Sequence, residues 1–280
     1  MSNLIIYAGG GDFTPIYGSG FDTCIVNSFH IHPTGISWND TMVVDASGTA
    51  TSDMATLVTA VHGLQQNGLQ VLLSIGGGGA FEPNSWLNGE HSVSDVDFMS
   101  FTGVYFSDGS MTSPMSSGNA ALAMLSTLVS ATGANGIDLD PEPMFFSYGQ
   151  FATATVFLTE WAQAQGISAT WVPYTAPSSW QAYAAVLAAD GSSPPSWINV
   201  QPPAWWDAAS LQSWDSLGAP LVPGFDGGSP SDIQNALAAV VNAGYTPAGA
   251  YYWNFTSIGS TSPTELATAM SNGLQGLTAS

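Results

Sequence analysis

Asn135-Gly136-Ile137-Asp138-Leu139-Asp140-Pro141-Glu142 is the stretch that orients the rest of the chain. In an extended strand, residues two apart share a face and lie roughly 6.6 Å apart, so Asp138, Asp140 and Glu142 point the same way. If parallel strands close into a barrel, that way is inward, toward the end where such barrels carry their chemistry. The chain has no Lys or Arg to offset three inward carboxylates. They are therefore expected to raise one another's pKa and to retain at least one proton at neutral pH. A carboxylic acid that keeps its proton is what cleavage of a glycosidic bond requires of its general acid. The same spacing would also fit an exposed acidic turn or a metal site.

Outward from this strand, short β-rich runs alternate with helical patterns along the whole length, the pattern of repeated βα units around a parallel sheet. Eight strands are expected, near residues 4–7, 24–29, 71–75, 136–140, 168–173, 197–201, 221–224 and 249–253. Two helices announce themselves chemically. Ser262-Pro263-Thr264-Glu265 has a capping serine, a proline in the first turn and a glutamate three residues on, and Ser229-Pro230-Ser231-Asp232 repeats the device. Residues 52–68 read as an amphipathic helix stopped by Asn67-Gly68, and 120–132 and 151–165 have helical length and composition. Residues 9–22 are too rich in glycine to promise a full helix, and the seventh strand is short. The segment 80–118, with Trp86 and His91, is longer than an ordinary connection and reads as a functional wall or flap. No boundary or repeat divides the chain, so the expected fold is a single α/β domain over residues 1–280, a (β/α)₈ TIM barrel.

Composition narrows the partners. Of 280 residues, 45% are hydrophobic and 7% charged, which suits a folded core. With 20 acidic residues, four histidines and no Lys or Arg, the formal charge is −20. A groove that neutralises phosphates needs cations, so neither nucleic acid nor an anionic membrane is an expected partner, and a neutral one fits. Repulsion among carboxylates eases as pH falls, so an acidic working range is expected. The lone cysteine, in Cys24-Ile25-Val26, excludes an intramolecular disulfide and reads as a buried, inert thiol. No signal peptide or membrane span is read, so a soluble chain is expected, intracellular or in mature secreted form.

Two further features bear on a site. Leu73-Ser74-Ile75-Gly76-Gly77-Gly78-Gly79 closes the strand before the carboxylates with small residues, either to let a ligand approach the backbone or as a plain flexible turn. It lacks the lysine of a phosphate-binding loop. His30 and His32 could share a face, but no third ligand accompanies them; hydrogen bonding is the expected role, and no metal or cofactor is expected. His62 lies in a helical run and reads as structural.

These motifs resemble glycoside hydrolase family 18, the chitinases and endo-β-N-acetylglucosaminidases together with their non-catalytic chitinase-like relatives. The stretch 135–142 matches the family's fourth-strand signature and Ser74-Ile75-Gly76-Gly77 its third-strand one, while Tyr7, Gln201 and Trp253 agree with its small members. The resemblance implies that Glu142 protonates the glycosidic oxygen while the substrate's own 2-acetamido group attacks the anomeric carbon, an exception to the two-carboxylate scheme. Asp140 would orient the acetamido N–H, and Asp138 would share a proton with Asp140. Tyr7, Ser74, Gly76, Gly77, Tyr174, Gln201 and Trp253 would line the substrate site, with Trp253 as the floor beneath the reacting sugar. The implied partner is a neutral glycan containing N-acetylglucosamine.

Two departures stand out. Asn135 replaces the aspartate that usually begins the signature. Many members also have a tyrosine two residues after the sixth-strand glutamine, a donor to the acetamido oxygen, where this chain has Pro203. Either Tyr174 reaches the same space or its hydroxyl bonds a loop carbonyl. Ala204-Trp205-Trp206 could form an aromatic wall or plug the rim. The expected activity is hydrolysis of β-1,4 N-acetylglucosaminide bonds in chitin-like oligomers or N-glycan cores. The alternatives are a non-catalytic glycan-binding barrel, or a storage, crystalline or defence protein with a vestigial site.

Overall fold

Alternation along the first strand, β1 (Asn3–Ala8), sets the plan of the molecule. Leu4, Ile6 and Ala8 belong to the large core under the helices, whereas Ile5 and Tyr7 belong to a smaller one with Ile25, Leu72, Val222 and Tyr251. Neighbouring residues face opposite sides of a strand, so the small cluster is the inside of a barrel and the large one its outer jacket. Each large side chain fully buried there contributes roughly 1.5–3 kcal/mol relative to exposure.

The computed structural model describes residues 2–32, 34–77, 120–141, 148–173, 177–203 and 206–279. Glu142, Tyr174, Ala204, Trp205, the segment 80–118 and the side chain of His32 lie outside the described residues. Among the described residues, ten strands form one sheet: β1, β2 (Thr23–His32), β3 (Gly35–Trp38), β4 (Thr41–Asp45), β5 (Gln70–Gly76), β6 (Gly136–Asp140), β7 (Ser168–Trp171), β8 (Trp197–Val200), β9 (Leu221–Phe225) and β10 (Gly249–Tyr252). Eight of them run parallel in the order β1-β10-β9-β8-β7-β6-β5-β2, and pairing of β1 with β2 closes the ring. All eight expected strands are present, and β6 has the expected bounds. The fold is therefore the (β/α)₈ barrel.

Seven α-helices are described: α1 (Met54–Gln66), α2 (Ala120–Thr132), α3 (Tyr148–Gln165), α4 (Pro177–Ala189), α5 (Ala208–Gln212), α6 (Pro230–Asn242) and α7 (Pro263–Leu274). The glycine-rich unit after β1 holds only a 3₁₀ turn, Thr14–Ile16. Reciprocal capping boxes start α6, through Ser229 and Asp232, and α7, through Ser262 and Glu265. In α1, Met54, Leu57, Val61 and Leu64 are buried at helical spacing, while His62 is exposed. No helix among the described residues is long and apolar enough to cross a membrane.

One element went unforeseen. β2 continues past the barrel and pairs antiparallel with β3, which turns through Asn39 and Asp40 into β4. Both turn residues have positive φ, 46° and 63°, the geometry that a tight two-residue hairpin demands. His30 pairs with Ser37 in this hairpin and is half-buried.

Candidate active site

The site is built from the register of the barrel. Pairing places Ser74 of β5 and Thr170 of β7 on either side of Asp138 of β6, and Gly76 beside Asp140. Asp138 is completely buried. Its Oδ2 accepts hydrogen bonds from the Tyr7 hydroxyl at 3.0 Å and from Ser74 Oγ at 2.9 Å. Its Oδ1 accepts from Asn199 Nδ2 at 3.1 Å and from Thr170 Oγ1. Asn199 Nδ2 also donates to the Tyr7 oxygen at 3.0 Å, so the tyrosine's own proton goes to Asp138.

Burial pushes the Asp138 carboxyl up to about 6, with bonds from Thr170, Ser74, Tyr7 and Asn199 pulling the other way. The cause is thus removal from water, where the sequence pointed to repulsion between carboxylates. Tyr7 is held well above its ordinary value by the same burial, with the negative charge of Asp138 adding to it.

Asp140 lies one strand repeat nearer the C-terminal mouth and is 3% exposed. Its Oδ1 accepts from Gln201 Nε2 at 3.2 Å, and its backbone carbonyl accepts from the N–H of Gly77 at 2.8 Å. Gly77 has φ +107°, and a Cβ on it would stand 3.3 Å from Ser28 Oγ and 3.7 Å from Asp140 Oδ2. The glycines after β5 thus let the chain turn close over the carboxylate. Trp253 follows β10, half-buried, its ring 4.9 Å from that of Tyr7 and tilted by 54°. Tyr251 packs on the other side of Tyr7 at 5.2 Å, and it fits because β9 has Gly224 there: a Cβ on Gly224 would fall 2.1 Å from the Tyr251 ring.

The structure therefore brings together Tyr7, Ser74, Gly76, Gly77, Asp138, Asp140, Gln201 and Trp253. Thr170 and Asn199 were missed by sequence reasoning. Asn199 carried a usable signal, since it stands two residues before Gln201 and so shares its face.

Both departures find a place in the fold. Asn135 sits at the opposite end of β6, where its Oδ1 accepts from the Val71 N–H at 2.8 Å and from Gln65 Nε2 at 3.2 Å. It fastens the base of the barrel, remote from Asp140. Pro203 lines a cavity of about 190 Å³ with Pro202, Trp206, Phe225, Asp226 and Ile233 among its walls. Trp206 is buried there and donates through Nε1 to the Gly224 carbonyl at 2.6 Å. Elsewhere tryptophan packs as core: Trp171 and Trp180, both fully buried, lie 5.6 Å apart. Cys24 is buried as expected, and burial pushes its thiol up, away from reactivity.

No protein-family model matches the chain, and no curated protein matches it by sequence. Solved structures do. A Group IV chitinase of Ostrinia furnacalis, crystallised with allosamidin, superposes with a TM-score of 0.60 at 11% identity, over 99% of this chain and 100% of that one. A chitinase of Rhizomucor miehei gives 0.60 at 12% identity, over 97% and 99% of the two chains. Active domain 2 of a thermostable Pyrococcus furiosus chitinase, in complex with chito-oligosaccharides, gives 0.56 at 10% identity over 100% and 98%. In fold, this chain is a chitinase-like barrel.

Proposed function

We propose that this chain is a retaining glycoside hydrolase that cleaves β-1,4 N-acetylglucosaminide bonds in chitin-like oligomers or N-glycan cores, with the substrate's 2-acetamido group as nucleophile. The observation that carries the reading is the setting of Asp140. It is an almost fully buried carboxylate at the barrel mouth, bonded to Gln201 Nε2 and overlain by the Gly77 backbone. That fixes a buried carboxylate at the mouth of the barrel, in a chain whose lack of Lys and Arg suits an uncharged ligand.

In this reading Asp140 orients the acetamido N–H, so the amide oxygen is held beside the anomeric carbon and the step becomes intramolecular. Glu142, two residues on, protonates the leaving oxygen and later activates water. Trp253, backed by the buried Tyr7 ring, gives the sugar an aromatic floor. The likeness to chitinases supports the substrate class. The test is an overnight digest of chitotetraose and of a high-mannose N-glycopeptide, from about pH 4 to about pH 7, read by mass spectrometry. The wild type should cleave one of them, and Glu142→Gln should lose activity by roughly 10²–10⁴-fold while still folding and binding. Undiminished cleavage by Glu142→Gln would sink the assignment.

A second reading, glycan binding without cleavage, draws on Pro203, which lines a cavity where a tyrosine hydroxyl would otherwise be offered and has no hydrogen to donate. Calorimetric binding of chitotetraose with no reducing ends released over days would select it.

A further inference from the structure

We propose that the cavity framed by β8, β9 and the start of α6 is a second binding site, which takes a small free molecule carrying a methylated ammonium group. It does not depend on the hydrolase reading. Trp206, Phe225 and Ile233 line the cavity and belong to the core between barrel and helices, outside the ring whose interior holds Tyr7 and Asp138. The cavity's volume of about 190 Å³ equals that of about six waters at roughly 30 Å³ each. That is enough for a compact head group and too little for a peptide segment or a sugar chain.

Walls and rim differ in character. Pro202, Pro203, Trp206 and Phe225 supply apolar surface, half of it from aromatic residues, while Asp226 and Asp232 stand among them on the solvent side, both exposed. Ser229 donates to Asp232 Oδ2 from its N–H at 3.0 Å and from its hydroxyl at 2.6 Å, and these bonds hold the carboxyl below its ordinary value, so it stays charged at neutral pH. The chain has no Lys or Arg to neutralise either aspartate. Aromatic surface beside two carboxylates suits a cation that sheds water at little cost, and a methylated ammonium is such a cation.

Other occupants fit less well. The loop after the seventh barrel strand, with a helix start beside it, is where barrels of this kind often hold phosphate. Here Asp232 itself caps α6 and Asp226 stands nearby, so an anion meets like charge. The same repulsion disfavours a phospholipid head group, which argues for a free molecule. Calcium takes about six to eight oxygen ligands, which two aspartates among prolines and aromatic rings cannot supply. Among the described residues no group of three or more His, Cys, Asp or Glu could hold a metal ion. An uncharged molecule gains nothing from the two carboxylates.

The probe is choline, set against its uncharged isostere in which a tert-butyl group replaces the trimethylammonium. Heteronuclear NMR follows the indole N–H of Trp206, which donates to the Gly224 carbonyl, with Trp206→Phe identifying the signal. In dilute buffer choline should shift that signal saturably, with a dissociation constant on the order of 1 mM, and the isostere should bind at least roughly tenfold more weakly. Asp226→Asn should weaken choline binding about fivefold, and Asp226→Glu should keep most of it. Gly227→Leu should abolish the shift. A Cβ on Gly227 meets no atom within 4 Å, so this variant should fold while its side chain crowds the cavity. Equal binding of choline and the isostere, or a Trp206 signal that choline leaves in place, would overturn the proposal. If Gly227→Leu does not fold, the isostere comparison decides with no variant. If the Trp206 signal moves with choline while the wild type cleaves no glycan, the hydrolase reading fails and this site stands.

Discussion

Asn199 directs its amide nitrogen at two targets inside the barrel, the Tyr7 oxygen at 3.0 Å and Asp138 Oδ1 at 3.1 Å, and its own Oδ1 accepts from Trp197 Nε1 at 3.0 Å. Such a residue transmits the loss of any neighbour. Tyr7→Phe leaves Asp138 one donor short and strands a hydrogen of Asn199, so it should destabilise the fold by about 1–3 kcal/mol, measured by urea denaturation. A change within about 0.5 kcal/mol, the ordinary range for an inconsequential surface substitution, would mean that the network is slack. The inward set on β6 was legible because it follows from the two-residue period of a single strand, and Tyr7, Ser74 and Gln201 were placed by motif. Thr170 was not, because its meeting with Asp138 depends on register between β6 and β7, which the spacing of neither strand encodes. The rise in the Asp138 pKa was foreseen and its cause was not, since depth of burial is a property of the closed barrel.

At the scale of elements, helix starts were the most readable features. Ser262 accepts from the Glu265 N–H at 3.2 Å and Glu265 Oε2 accepts from the Ser262 N–H at 3.0 Å, so the first turn of α7 has its donors answered before packing begins. Ser262→Ala should lower stability by about 1 kcal/mol, seen as a lower Tm with unchanged cleavage of chitotetraose. If Tm does not move, packing of α7 alone holds the helix. The β3–β4 hairpin passed unnoticed although Asn39-Asp40 is a turn signal. The eight-unit βα rhythm assigned residues 35–45 to a connection, and antiparallel strands are foreign to that rhythm. α4 was likewise not assigned; its packing against β7 runs through Trp171, Trp180 and Tyr183, aromatic residues that carry no helical signature of their own.

For the whole molecule, two sets of carboxylates pull stability in opposite directions with pH. Asp138 has a folded value of about 6 against an ordinary 3.8, so the folded state holds its proton longer. Its contribution is present below the unfolded value and is lost as pH rises through the folded one, a change of at most about 3 kcal/mol. Asp12, Asp45, Asp207, Asp232 and Glu265 are held below their ordinary values by bonds from nearby backbone and hydroxyl groups, so what they contribute is lost as pH falls through their folded values. Maximal stability is therefore expected between about pH 4 and about pH 5, falling as pH rises toward about 6, by urea denaturation across the pH range. A maximum at or above neutrality would show that burial of Asp138 does not govern the balance.

The hydroxyl partners of the surface acids have a consequence for ionic strength. Asp45 is bonded by Ser47 Oγ at 2.6 Å, Glu160 by Ser192 Oγ at 2.6 Å, Asp215 by the Tyr245 hydroxyl at 2.7 Å and Asp232 by Ser229 Oγ at 2.6 Å. In most proteins dissolved salt weakens attractions between unlike charges as well as repulsions between like ones, and the two effects offset. Here the side chains carry fixed charge of only one sign apart from histidine, and an acid held by a neutral hydroxyl has little for a counterion to screen. Sodium chloride should therefore raise the melting temperature steadily from dilute buffer upward, with no initial dip, and this barrel should be most at ease in brine.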